Sequence, residues 1–172
     1  VDATGGLSVS NYLGAPTTYN AGFFSALVPV FERLVYPFSP VITPGEIKDA
    51  ISNMESSFED AALVYAFGSA TILHTQERGR SIEDISVHID GMVNYSYEAL
   101  QRSNPSNGPS RQLLGKPPIN LKSIMTYLYL EISMTALGNF DLGFIFLREA
   151  IAMLQICEKR TFPLEGGESS KY

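Results

Sequence analysis

Ser56-Ser57-Phe58-Glu59-Asp60-Ala61-Ala62-Leu63-Val64-Tyr65-Ala66-Phe67-Gly68-Ser69-Ala70-Thr71-Ile72-Leu73 is the stretch that decides the fold. A serine ahead of two carboxylates is a helix start, because the hydroxyl caps free amides and the acids oppose the positive end of the helix dipole. The residues beyond Asp60 offer no polar face. Ala61, Ala62, Ala66, Gly68, Ser69 and Ala70 are interleaved with Leu63, Val64, Phe67, Ile72 and Leu73. A helix that is apolar all round is buried all round, and small side chains let its neighbours come close. The pattern predicts a central helix enclosed by others.

The flanking segments supply those neighbours. Phe24, Leu27, Val28, Phe31 and Val35 share one helical face, and Pro29 predicts that the regular helix starts near that residue and runs to about Val35. Tyr36-Pro37-Phe38-Ser39-Pro40 stops it. Thr43-Pro44-Gly45-Glu46 has the order of a capping box, opening a short helix to about Asn53. Ser81-Ile82-Glu83-Asp84 repeats that logic before a stripe of Ile82, Ile85, Ile89, Met92, Val93 and Leu100, opposed by Glu83, Asp90, Asn94 and Gln101. Asn120 caps a helix carrying Leu121, Ile124, Met125, Leu128, Ile132 and Ala136, which ends at Gly138. Asp141 is expected to cap the last, where Phe144, Leu147, Ile151 and Leu154 face one way and Phe146, Ala150, Met153 and Cys157 another. Two helices joined by Gly138-Asn139-Phe140 make an antiparallel hairpin.

No segment alternates as a strand does, so the expected class is all-α, with antiparallel helical hairpins packed as an array or an irregular bundle. No repeat of about 34 residues is visible. By composition, residues 1–22 read as a flexible arm or linker, 23–159 as the helical domain, 103–118 as a mobile insertion and 160–172 as a frayed tail.

The balance of charges restricts the partners. Twelve scattered Lys and Arg against eighteen Asp and Glu leave a net charge of −6, so direct nucleic-acid binding through this segment is not expected. The longest apolar runs, Ala61 to Ala66 and Ile124 to Tyr129, are too short to span a bilayer, and no membrane partner is expected. Cys157 is the only cysteine, which rules out an internal disulfide and fits a reducing, intracellular compartment.

Catalytic chemistry finds little to stand on. His74 and His88 are separated by a helix boundary, without metal-ligand spacing, so neither metal nor cofactor is expected. Glu59-Asp60 and Glu83-Asp84 are explained by helix dipoles. Gly115-Lys116 precedes two prolines where a phosphate loop needs Ser or Thr and a helix. Cys157 reads as a small buried hydrophobe. No enzyme is expected, the remaining enzymatic alternative being a dispersed site drawing on His74, His88, Glu59 and Asp84. The tyrosines point elsewhere. Tyr65, Tyr95, Tyr97, Tyr127 and Tyr129 all lie on expected helices, and lining one groove they would offer hydroxyls and flat rings to a small ligand.

Phe31-Glu32-Arg33-Leu34-Val35-Tyr36-Pro37-Phe38-Ser39-Pro40-Val41-Ile42 resembles the opening of the regulatory domain of fungal binuclear zinc-cluster transcription factors. In that family an aromatic-rich helix runs into a proline-punctuated turn. Ile124 to Cys157, with Leu147-Arg148-Glu149-Ala150-Ile151-Ala152, is similar to the helical hairpin of its middle homology region. Where the family often ends that hairpin with Gly-Leu-His, this chain has Leu154-Gln155-Ile156-Cys157-Glu158, and it has no zinc ligands. The resemblance implies the regulatory region of a nuclear or nucleocytoplasmic activator without its DNA-binding module, with carbohydrate utilisation the nearest branch. Its implied partners are a small-molecule inducer or an inhibitory or co-activator protein, with a homodimer also considered. A helical protein-interaction scaffold is the alternative.

Overall fold

The structure, a computed structural model, describes residues 8–38, 40–74, 82–103 and 119–161. Among them are seven α-helices and no strand: α1 Val9–Leu13, α2 Ala21–Leu34, α3 Pro44–Asn53, α4 Phe58–Leu73, α5 Ile82–Arg102, α6 Leu121–Ala136 and α7 Phe140–Thr161. The chain is all-α.

α4 is the axle. Every residue from Asp60 to Thr71 is buried, as its missing polar face requires. Its small residues set how closely neighbours approach. A Cβ built on Gly68 would stand 2.5 Å from the ring of Phe24 on α2 and 3.1 Å from Sδ of Met92 on α5, so hydrogen alone fits there.

Polar contacts fix the direction of each neighbour. Ser96 on α5 donates to the Ala62 carbonyl at 2.7 Å, while Met92 meets Gly68, so α5 runs antiparallel to α4. Lys122 on α6 reaches Asp60 at 2.6 Å and Ser133 meets Ser69 at 2.8 Å, so α6 runs parallel to α4. α7 returns antiparallel to α6, with Phe146 on Tyr127 and the backbone of Gly143 against Thr135. Two hairpins, α4–α5 and α6–α7, therefore stack side by side through α4 and α6, with α2 and α3 packed against α4.

Local chemistry explains the helix ends. Thr43 and Glu46 complete the capping box: the Glu46 amide donates to the Thr43 hydroxyl, and the Glu46 carboxylate accepts from the Thr43 amide at 2.7 Å. The bonds this carboxylate accepts from the Thr43 amide and hydroxyl hold it below its usual range. At the α6–α7 turn the amides of Gly138 and Asn139 return to Thr135 and Met134, a Schellman arrangement that needs the positive φ of Gly138, +80°.

Four expectations are corrected. α2 begins at Ala21, capped by Asn20, and continues through Pro29; Ser25, whose carbonyl loses its helical partner to the proline, is exposed, as is Pro29, so the break lies on the outer face of the helix. α7 begins at Phe140, and Asn139 caps it by accepting from Leu142, leaving Asp141 in the first turn. The helix also continues through residues 160 and 161, where a tail was expected. Of the arm over 1–22, Val9 and Leu13, one turn apart, are buried on the core together with Tyr19, while residues 14, 16–18 and 20–22 are exposed. The remainder of the arm and tail, Ser81 and the insertion from 104 to 118 lie outside the described residues.

Candidate functional site

The packed arm covers a cluster of aromatic hydroxyls at one side of α4 and α5. The rings of Tyr65 and Tyr95 stand 5.6 Å apart, with Tyr19 from the arm 6.4 Å from Tyr95 and Phe24 edge-on to Tyr65. The Tyr19 hydroxyl lies 2.7 Å from Nδ1 of His88. Ser10 donates to the Glu55 carboxylate at 2.7 Å, and its oxygen is 3.2 Å from the Tyr65 hydroxyl. With the serine hydrogen given to Glu55, Tyr65 must be the donor, so the three groups form a relay from phenol to hydroxyl to carboxylate. The Val9 amide also bonds the Glu55 carbonyl at 3.1 Å. Burial pushes the Tyr65 phenol up, and burial with Tyr95 close by pushes Tyr19 up. Both stay neutral at ordinary pH.

The other expected tyrosines do not join them. Tyr97 on α5 and Tyr127 on α6 both pack on Phe146 of α7, at 5.8 and 6.0 Å. Tyr129 points elsewhere, edge-on to Phe31, with its hydroxyl buried and without a hydrogen-bond partner among the described residues. Burial raises the phenols of Tyr127 and Tyr129 strongly. The single groove is thus corrected to three separate places. The reason is helical: residues two apart, such as Tyr95 and Tyr97 or Tyr127 and Tyr129, do not share a face. Sequence reading missed Ser10, Tyr19 and Glu55 altogether, and saw His88 only as an isolated histidine.

The remaining candidates for chemistry have structural partners. His74 caps the end of α4, with Nδ1 2.9 Å from the Ala70 carbonyl. Glu59 accepts from Asn120, and Asp60 pairs with Lys122, whose ammonium that bond holds in its charged form above its usual range. The side chain of Asp84 lies outside the described residues. Cys157 is partly buried against the core. Among the described residues no group of three or more His, Cys, Asp or Glu could hold a metal ion, and no helix is long and apolar enough to cross a membrane.

A second surface lies on α7. One face, with Phe146, Ala150 and Met153, is buried. The other, with Phe140, Phe144, Ile151 and Leu154, is exposed although apolar. In comparisons with family models, curated proteins and solved structures, nothing matches this chain.

Proposed function

We propose that the chain is an effector-responsive regulatory region of a fungal zinc-cluster transcription factor, working in the nucleus or between nucleus and cytoplasm. The observation that carries an effector response is the arm of residues 8–20 lying over Tyr65 and Tyr95 and held by Ser10–Glu55 and Tyr19–His88. The arm is held by a few partly exposed hydrogen bonds, each contributing about 1 kcal/mol, and by the burial of Val9, Leu13 and Tyr19, so an effector must offset both to free it. An effector binding better with the arm in one position shifts that equilibrium by its differential affinity. Phenol hydroxyls, a carboxylate and flat rings suit a small polyhydroxylated molecule such as a sugar.

The test is a thermal-shift series against sugars and related small inducers, read beside tyrosine fluorescence. A binding sugar raises the melting temperature of the wild type but not of Tyr95→Ala. A full series with no shift would sink direct sensing. A second reading, an interaction scaffold, is supported by the exposed apolar face of α7.

A further inference from the structure

Helix α7 is apolar on two faces, and only one has a partner among the described residues. Phe140, Phe144, Leu147, Ile151 and Leu154 come in succession at steps of four, three, four and three residues, the a and d spacing of a coiled-coil seam. Phe140 is 66% exposed, Phe144 67%, Ile151 45% and Leu154 47%, whereas Leu147 at the middle is partly buried. A solvent-facing helix surface ordinarily carries polar residues at such positions.

The charges beside the seam are self-complementary. Asp141 and Arg148 each come directly after a d-type residue, Phe140 and Leu147, and so lie on the same flank, one heptad apart and opposite in sign. Both are exposed, and the ion pair of Arg148 with Glu149, at 3.6 Å, is a weak surface contact. Flank charges of this kind choose the partner and the direction of a helix pair.

We infer that the outer face of α7 is a homodimer surface, on which a second copy of this chain lays its own α7 antiparallel. This rests on the interaction-scaffold reading and names its partner. Antiparallel pairing that sets Phe140 opposite the second copy's Ile151, and Phe144 opposite its Leu147, brings Asp141 beside the second copy's Arg148, twice by symmetry. A parallel pair lacks this match, because it would set that flank against the flank of Gly143 and Ala150. The two-fold arrangement needs nothing beyond one surface meeting itself.

Sedimentation equilibrium of the whole chain over roughly a hundredfold range of concentration tests the inference. A monomer–dimer equilibrium is expected, abolished by Phe144→Glu with the circular dichroism unchanged, since that ring is exposed. Asp141→Arg or Arg148→Asp alone weakens dimerisation by about tenfold, because both symmetry-related pairs are lost together, and the double swap restores it. A chain monomeric throughout, or a dimer indifferent to Phe144→Glu, overturns the proposal. A surface dye separates the two readings. If a monomeric chain binds the dye and Phe144→Glu removes that binding, self-pairing fails while the scaffold reading stands; if it binds none, both fail.

Discussion

The hydroxyls of Ser69 on α4 and Ser133 on α6 lie 2.8 Å apart in a wholly buried seam. Each is also 2.8 Å from a carbonyl of its own helix, Ala66 for Ser69 and Tyr129 for Ser133. Two hydroxyl hydrogens serve three contacts, so one contact is always without a proton; while the bond across the seam is made, in either of two arrangements, it is one of the two carbonyl contacts. Ser69→Ala leaves Ser133 free to bond Tyr129, and the expected cost is about 1 kcal/mol. Adding Ser133→Ala should cost less than Ser69→Ala and Ser133→Ala summed, a coupling of about 0.5–1 kcal/mol measurable by denaturant unfolding. Strict additivity would mean that the seam bond contributes nothing.

Gly68→Ala tests how closely α2 and α5 approach the axle. The added methyl would overlap the fully buried Phe24 ring, which is itself enclosed by Tyr19, Phe23 and Tyr65 and has nowhere to turn. A loss of about 1–3 kcal/mol is expected from this overpacking, outweighing alanine's better helix propensity of about 1 kcal/mol. Combining it with Phe24→Leu should recover part of the loss in chemical denaturation. A neutral or stabilising Gly68→Ala would show that the helices stand further apart.

Alkaline pH is expected to unfold the protein through its phenols. Tyr19, Tyr65, Tyr127 and Tyr129 all have their ionisation raised, burial being the first cause in each. A raised folded pKa means that the native state holds the proton more tightly. The stabilisation is therefore complete below the unfolded value of about 10 and is lost as pH climbs above it. Ultraviolet titration should show these phenols ionising together with the loss of helical circular dichroism. Ionisation of all nine tyrosines while the helices persist would contradict their burial.

Thr43→Ala removes the hydroxyl that accepts from the Glu46 amide and should cost about 1 kcal/mol. The same capping box predicts an acid effect. Glu46 has a lowered pKa, caused first by its bond from the Thr43 amide, so its stabilisation is present above the usual carboxyl value and fades as pH falls through the depressed one. Melting curves of Glu46→Gln and wild type should therefore converge toward low pH.

The parts legible in the sequence were those written in local patterns. The all-apolar run of α4 announced its burial, and Thr43 to Glu46 and Asn120 announced their caps. The arm escaped because Val9, Leu13 and Tyr19 are diluted among Gly, Ser, Thr and Pro, and their anchors, Glu55 and His88, are distant in the chain. Asn139 is less legible as a cap than Asp141 because it serves two helices at once, closing α6 with its amide and opening α7 with its side chain. The tyrosines divided because adjacency in sequence sets helical direction, while Tyr65 and Tyr95 met only through the antiparallel packing of α4 and α5.

The parallel seating of α6 on α4 also bears on how the molecule assembles. The α6–α7 contacts close across a three-residue turn, whereas the seam joins groups 62 and 64 positions apart in the chain. Closing the longer span forfeits more chain entropy before any contact compensates it. The α6–α7 hairpin is thus expected to form early, with docking onto α4 as the slower event. Truncating Ile124 or Leu130 should retard refolding less than it accelerates unfolding, whereas a defect in the Gly138 turn should act chiefly on the refolding rate.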